Sequence, residues 1–282
     1  MDVANTEMAA AWDEEAPGWI EFEPSYVRAS ADLWQLFLSE VELSESDHVL
    51  DLGCGTGART CALTGSVPRG SVLGIDLSAA MIARAQENAT RAGIANVAFV
   101  AGDAQVYPFG ADVFDVVVSS FGSMFFVDPV AAFAHMRGSV RPHGRLALLT
   151  WRGIDENAWL VAIRNALAIG RDVPTPPTGV PGPFGFAEPD HVRRVLGDAG
   201  FAAIELDPID ADIDLGADVD AACRYVGGMG VARGMTADLD EADRARALAA
   251  VRDLLMAYET PDGVRMPGAA WRITATSGRA PG

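Results

Sequence analysis

"VLDLGCGTGA", residues 49–58, decides the fold. An apolar run closes on Asp51 and then breaks into glycines at every second position, Gly53, Gly55 and Gly57. Glycine has no Cβ, so a turn of this kind lets bare backbone approach a ligand. Two ligand patterns share these letters. Gly53, Gly55 and Ala58 fit G-x-G-x-x-G/A, the signature of a dinucleotide-binding turn. Asp51 through Gly57 equally fit D-x-G-x-G-x-G, which serves a ligand without a pyrophosphate. The choice has to come from the rest of the chain.

Outward from that turn, short apolar runs alternate with helical patterns. "HVLDLG" (48–53) reads as a buried strand, followed by a helix through Arg59 to Leu63. "SVLGIDL" (71–77) is a second strand. Ser78 then caps a helix that puts Met81, Ile82 and Ala85 on one face and stops at Gly93. "VAFVAGD" (97–103) and "FDVVVSS" (114–120) are a third and a fourth strand. Asp128-Pro129 opens a helix with Phe133, Met136 and Val140 facing inward, and Pro142 ends it. "GRLALLTW" (144–151) is a fifth strand. Such alternation predicts an α/β protein with a parallel sheet covered by helices on both faces.

A helix from Glu188-Pro189 to Gly200 precedes a sixth strand, "FAAIELDPI" (201–209), and "AWRITATS" (270–277) is a seventh. These last two runs suit a sheet that finishes with an antiparallel pair. Three segments fall outside the rhythm. Residues 1–46 look helical and carry Trp12, Trp19, Phe22, Tyr26, Trp34 and Phe37. Residues 152–187 hold a helix (Asn157 to Ile169) and a Pro/Gly loop. Residues 211–265 hold two helical patterns, the second with Leu248, Val251, Leu255 and Tyr258 on one stripe. The expected organisation is an N-terminal helical cover, 1–46, on a domain spanning 47–282 with cap insertions at 152–187 and 211–265.

Composition narrows the function classes. The chain has 282 residues, half of them hydrophobic, and a formal net charge of -18. The longest basic run is Arg193-Arg194, and a protein that grips a phosphate backbone needs clustered Lys and Arg, so no nucleic-acid partner is expected. No apolar run approaches the roughly 20 residues that span a bilayer, so no membrane partner is expected. The opening "MDVANTEMAAAWDEEAPGW" has neither a basic n-region nor an apolar h-region, and no leader is read in it. Cys54, Cys61 and Cys223 are an odd set without metal-type spacing, which predicts reduced thiols in a cytoplasmic protein and no metal site.

The ligand choice turns on the strand ends, because an open parallel sheet binds beyond the carboxyl ends of its strands. Asp51, Asp76 and Asp103 close the first three strands in succession. Asp76 lies 19 residues after Gly57, where a carboxylate can accept both hydroxyls of a ribose. That fits NAD and S-adenosylmethionine alike. Asp103, in "GDAQVYPF", suits an acceptor for an adenine amino group, with the Ala104 backbone N–H reaching a ring nitrogen. An acidic residue such as Asp51 favours a ligand with a cationic amine and sulfonium over a pyrophosphate. One aspartate after a strand is often only a turn residue; three in succession are harder to dismiss. The set favours S-adenosylmethionine.

The chain resembles class I S-adenosylmethionine-dependent methyltransferases, through "VLDLGCGTG", "GIDLSAAMI", "GDAQVYPF", "FDVVVSSFGSMFFVDPVAAFAHM", "VRPHGRLALLTWR" and "TPDGVRMPGAAWRITA" in order. It is similar in particular to a bacterial small-molecule subgroup with an "FGxMFF" stretch and a Trp-rich N-terminal segment. The resemblance implies a Rossmann-like fold with a seven-stranded, mostly parallel sheet, an antiparallel last strand and a helical lid. It implies that Gly53, Gly55 and Gly57 surround the methionine moiety, Asp76 binds the ribose, and Asp103 with Ala104 binds the adenine. It also implies that Ser119 lends its carbonyl to the methionine amine and that Leu77 and Met81 sandwich the adenine. The chain departs from the pattern at His143, where the family usually has glycine, and at Ser120, where the subgroup often has arginine. The second departure suggests a different acceptor.

Methyl transfer is an in-line displacement on an activated carbon, so the protein mainly aligns the reactants and excludes water. A general base is needed only if the nucleophile must lose a proton. His48 and His143 fall at the amino end of the sheet and His135 on a surface helix; His191 is the one weak candidate, and no base is assigned. Trp19, Phe121, Met124, Phe125 and Trp151 are the expected acceptor contacts, and as a group they suggest an apolar or aromatic small molecule, as in natural product biosynthesis. The product would be S-adenosylhomocysteine. A homodimer is considered. The competing readings are an NAD-dependent oxidoreductase, for which no hydride-transfer residue is found, and a non-catalytic S-adenosylmethionine-binding protein.

Overall fold

A computed structural model describes residues 5–278. Eight strands form one sheet: β1 (His48–Leu52), β2 (Ser71–Asp76), β3 (Val97–Ala101), β4 (Phe114–Ser120), β5 (Val140–Trp151), β6 (Ala202–Gly216), β7 (Glu259–Thr260) and β8 (Gly263–Thr276). Their order is β3-β2-β1-β4-β5-β8-β6, with β7 paired to β8. β1 to β5 are parallel, and β8 runs antiparallel between β5 and β6. The seven expected strands are therefore present, joined by a two-residue eighth.

The period of two along the central strands separates the faces. Val49, Val116, Val118, Ala147 and Leu149 enter one buried cluster; Leu50, Val117, Leu146 and Leu148 enter another on the opposite face. The first three helices are α1 (Thr6–Glu21), α2 (Glu23–Ala29) and α3 (Ala31–Leu38). Next come α4 (Ala58–Leu63), α5 (Ala79–Ala92), α6 (Pro129–Arg137), α7 (Ala158–Ala168) and α8 (Pro189–Asp198). The last three are α9 (Val219–Gly228), α10 (Gly230–Thr236) and α11 (Glu241–Met256). The first cluster takes in α3, α7 and the α9–α11 group, the second takes in α6 and α8. Ser78 Oγ accepts from Met81 N, so the expected cap forms, and Asp128, expected to open the next helix, caps it by accepting from Ala131 N on Oδ1.

Three boundaries differ from the sequence reading. The helix opened by Asp128-Pro129 ends at Arg137, and Val140 belongs to β5. The register between β4 and β5 jumps from Phe114↔Val140 to Val116↔Arg145, and the surplus residues form a bulge that holds Pro142 and His143, the latter at φ 61°. β6 runs on to Gly216 and β8 begins at Gly263, so the ends of the 211–265 stretch are strand and its helices occupy 219–256. Alternation continues beneath the acidic residues of "DPIDADIDLG", with Ile209, Ile213 and Leu215 buried. Pro208 is tolerated because β6 is the edge of the sheet.

Beyond Trp151 the β5–β8 ladder is continued by a side chain. Asn157 Oδ1 accepts from Ala269 N at 3.0 Å, and Asn157 Nδ2 donates to Ala269 O at 3.1 Å, as a neighbouring strand would. The same amide donates to Arg152 O and Gly153 O and accepts from Trp159 Nε1. Asn157→Ala leaves these buried groups unpaired, so it should cost at least ~2 kcal/mol, since each buried orphan costs about 1–3. Denaturant melts check this. A midpoint within error of wild type would mean that water replaces the amide without loss.

Candidate functional site

The glycine turn after β1 is left-handed at three points: Gly53 at φ 66°, Gly55 at 54° and Gly57 at 80°. The three glycines serve different ends. A Cβ on Gly53 would lie 2.8 Å from Gly122 Cα, and one on Gly57 2.7 Å from Ala85 Cβ, so both sites require close packing. A Cβ on Gly55 would meet nothing within 4 Å. Gly55 faces a cavity of about 670 Å³ at the carboxyl end of the sheet.

One end of this cavity is lined by Gly53, Gly55, Asp76, Leu77, Met81, Asp103 and Ala104; Trp19, Phe121, Met124, Phe125 and Trp151 line it as well. The expected cofactor and acceptor contacts are thus brought together, with three exceptions. Asp51, Gly57 and Ser119 lie behind the wall. Ser119 Oγ donates to Leu52 O at 2.8 Å and accepts from Ser123 N at 3.0 Å, tying the end of β4 to the end of β1. His191 also lies outside the lining, its Nδ1 2.9 Å from Arg194 Nη2, and burial and the Arg194 charge lower its pKa.

The carboxylates differ in their engagement. Asp51 is buried, and its Oδ2 accepts from Thr60 Oγ1 at 2.7 Å. Burial pushes its pKa up to about 7; the Thr60 bond and the Arg59 charge oppose the shift, and Asp76 adds to it. Asp76 accepts from Gly55 N at 2.8 Å on Oδ2 and from Ser78 N at 3.0 Å on Oδ1, and burial raises its pKa. A carboxylate has about four lone-pair sites, so these two bonds leave each oxygen with capacity for a hydroxyl donor.

Asp103 is different, and the sequence reading missed why. Asn5 donates to it from its backbone N at 2.9 Å and from Nδ2 at 2.9 and 2.8 Å, while Gln105 N donates at 3.0 Å. Asn5 Oδ1 in turn accepts from Val127 N at 3.0 Å. A side-chain amide thus occupies the carboxylate expected to receive the adenine amine. Nothing in the polar opening "ANTE" signals a partner so distant in sequence.

The rest of the wall is a run of rings. Phe121 stacks on Trp151 at 4.3 Å between centroids and is held at φ 61°, a region a bulky side chain enters only under constraint. Phe125 meets Trp12 edge-on at 5.1 Å, Trp12 meets Trp19 at 5.9 Å, and Trp19 stacks on Tyr26 at 3.7 Å. Tyr26 meets Tyr225 of α9 at 5.2 Å, which carries the run into the last helical group. Beside it Arg233 pairs with Glu15. Burial raises the Tyr26 pKa to about 12, with Arg233 opposing and Glu15 reinforcing the shift. Arg59, which also lines the cavity, donates from Nη2 to Val27 O and Ser30 Oγ and lies over the Trp34 ring. Tyr225 and Arg59 were not singled out from the sequence.

Residues 49–144 match the family described as "Methyltransferase domain". The aklanonic acid methyltransferase DauC of Streptomyces sp. (strain C5) is 36% identical over 111 residues, 38% of this chain and 50% of that protein. The demethylmenaquinone methyltransferase of Lactiplantibacillus plantarum is 34% identical over 114 residues, 40% of this chain and 48% of that protein. The chain therefore spans about half the length of these curated relatives. Among solved structures, the [4+2]-cyclase SpnF aligns with a TM-score of 0.60 at 19% identity, covering 98% of this chain and 97% of that one. The YcgJ protein from Bacillus subtilis aligns at 0.58 and 18%, covering 87% and 98%. The fold is Rossmann-like and shared with methyltransferases, and residues 49–144 carry a match to a methyltransferase domain.

Two expectations follow. Folded Asp51 holds its proton up to about pH 7 where an ordinary carboxyl loses it at 3.8, so its contribution to stability is complete below about pH 4 and lost as the pH rises through 7. Asp51→Asn lacks this titration. Between pH 5 and 8 the Tm of the wild type should therefore fall relative to that of the variant, and parallel curves would refute the assignment. Asn5→Ala removes the Nδ2 donors from Asp103 while the backbone N–H of residue 5 still donates, and the affinity for S-adenosylhomocysteine should rise by about tenfold, the worth of one hydrogen bond to a charged group. Weaker binding by calorimetry would make Asn5 a part of the adenine pocket instead.

Proposed function

We propose that the protein transfers the methyl group of S-adenosylmethionine to an apolar or aromatic small molecule. The observation that carries this reading is one continuous cavity with acceptors at the strand ends and aromatic rings around them. The donor set suits the methyl donor chemically. Asp76 has room for two ribose hydroxyls, Asp103 is an acceptor for an adenine amine once Asn5 withdraws, and the bare backbone at Gly55 leaves space for the chain that joins them. Behind the turn, Asp51 is a buried carboxyl that a nearby ammonium and sulfonium would hold ionised, and the Ser119 carbonyl is the proposed partner of the ammonium. Leu77 and Met81 would hold the adenine by its faces.

The bound donor supplies an electrophilic methyl carbon. The chain's own residues align and desolvate. Phe121, Met124, Phe125, Trp151 and Trp19 would hold the acceptor by its apolar surface, and a misplacement of about 1 Å there can cost on the order of 10²-fold in rate. Residues 1–46 and the helices within 152–187 and 211–265 would exclude water as covers. No side chain is assigned as a general base, and the reaction would draw on the acceptor's own ionisation. The relatives named for aklanonic acid and demethylmenaquinone support a small-molecule acceptor.

Two measurements test this. Incubation with methyl-labelled S-adenosylmethionine and extracted metabolites should yield a labelled small molecule; label-free extracts despite tight donor binding would favour a non-catalytic role. Asp76→Ala should lower donor affinity at least tenfold while the fold survives, because hydrogen bonds to a charged group are worth about 1.5–3 kcal/mol. Unchanged S-adenosylmethionine binding in a folded Asp76→Ala protein would falsify the donor assignment.

A further inference from the structure

The cavity is acidic and holds a single cation. Glu15, Glu23, Asp76 and Asp103 line it, and among its described lining residues Arg59 alone is positively charged. A guanidinium taken out of water is costly unless hydrogen bonds and an anion compensate it. For Arg59 the compensation within the protein is partial. Nη2 donates to Val27 O at 2.9 Å and to Ser30 Oγ at 3.1 Å, and Cζ lies 5.0 Å from the centroid of the Trp34 ring. These contacts fix the group from behind. Among the described residues, hydrogen bonds engage only Nη2, which leaves the Nε and Nη1 donors for a ligand. Burial lowers the pKa of Arg59 to about 10, with Asp51 as the opposing charge, and it remains a cation at neutral pH.

Asp51 and Arg59 flank the glycine turn, one at the end of β1 and the other in the first turn of α4. An α-amino acid carries an ammonium and a carboxylate on one carbon, and a site for it needs an anion and a cation side by side. We propose that Arg59 binds the α-carboxylate of the methyl donor's methionine moiety, whose ammonium would ionise the Asp51 carboxyl behind the turn. The assignment rests on the methyl-donor reading above and adds a residue for the one group of that donor not yet matched. It also gives a reason for the otherwise unpaired cation in a cavity of acids. An acceptor with a carboxylate is the rival occupant of the same chemistry.

Calorimetry with two ligands separates the cases. S-adenosylhomocysteine carries the amino-acid moiety; 5′-methylthioadenosine keeps the adenosine and sulfur and lacks it. Arg59→Met should weaken S-adenosylhomocysteine by about ten- to a hundredfold, as expected for loss of charge-assisted hydrogen bonds, and leave methylthioadenosine within about twofold. Arg59→Lys, which keeps the charge without the planar fork, should fall between wild type and Arg59→Met. Equal loss for both ligands would overturn the proposal and make Arg59 a packing residue. Unchanged S-adenosylhomocysteine binding with a raised KM for the acceptor would assign Arg59 to the acceptor and also overturn it. A wild-type protein that binds neither ligand would instead remove the methyl-donor reading itself, and this assignment with it.

Discussion

The backbones that leave β1 and β4 touch. Gly53 and Gly122 approach so closely that a Cβ on either would lie within 2.9 Å of the other residue's Cα, and Ser119 Oγ bonds Leu52 O across the same gap. Much follows from this contact. The chain after β1 turns towards β2 and the chain after β4 towards β5, so the strand order reverses here and a crevice opens at the carboxyl edge of the sheet. Phe121, next to Gly122, is left-handed, and its ring stacks on Trp151 at the cavity wall. The turn after β1 and the turn after β4 therefore constrain each other through the glycine contact. A bulkier residue at either glycine would disturb both.

The cavity wall carries both carboxylates and rings, and the N-terminal helices contribute to both. Asn5 engages Asp103, Trp12 and Trp19 link Phe125 to Tyr26, and Glu15 pairs with Arg233 near the last helical group. One helix, α1, and its cap Asn5 thus contact both a strand-end carboxylate and the ring wall. The contact between Asn5 and Asp103 is already made within the protein, so any ligand that takes this carboxylate must outcompete Asn5.

The central sheet was legible because local signals agreed with the global fold: apolar runs in β1, β4 and β5, a glycine turn after the first of them, a cap at Ser78 that forms as read, and a helix opened by Asp128-Pro129. Legibility failed where composition misled. The sixth strand was read as ending at Ile209, yet in "DPIDADIDLG" the apolar residues keep the period of a strand through Gly216 beneath an acidic outer face. At the site, the positions of Asp76 and Asp103 at strand ends and of Gly55 in the turn, all lining the cavity, could be read from the chain itself. Asn5, Arg59 and Asn157 could not. Each acts through partners remote in sequence, Asn5 on Asp103, Arg59 on Val27 and Ser30, and Asn157 on Ala269, and none carries a periodic signature.

The two covers are attached in mechanically different ways. Beyond Trp151, β6 and β8 leave the sheet as an antiparallel ribbon paired as far as Gly216↔Val264, and α9 to α11 are mounted on its end. A doubly stranded ribbon bends reluctantly. The N-terminal helices instead reach β1 through a single stretch of chain, and while α3 is anchored by buried Leu33, Trp34 and Phe37, α1 buries only Ala16 fully. The compliant wall is therefore α1, and the ribbon-mounted wall is the frame it closes against. Because α1 and its cap touch both Asp103 and the ring wall, displacement of α1 would unseal the cavity at both places together. Any occupant would then leave through one gate, and the cavity would flood or dry as a unit.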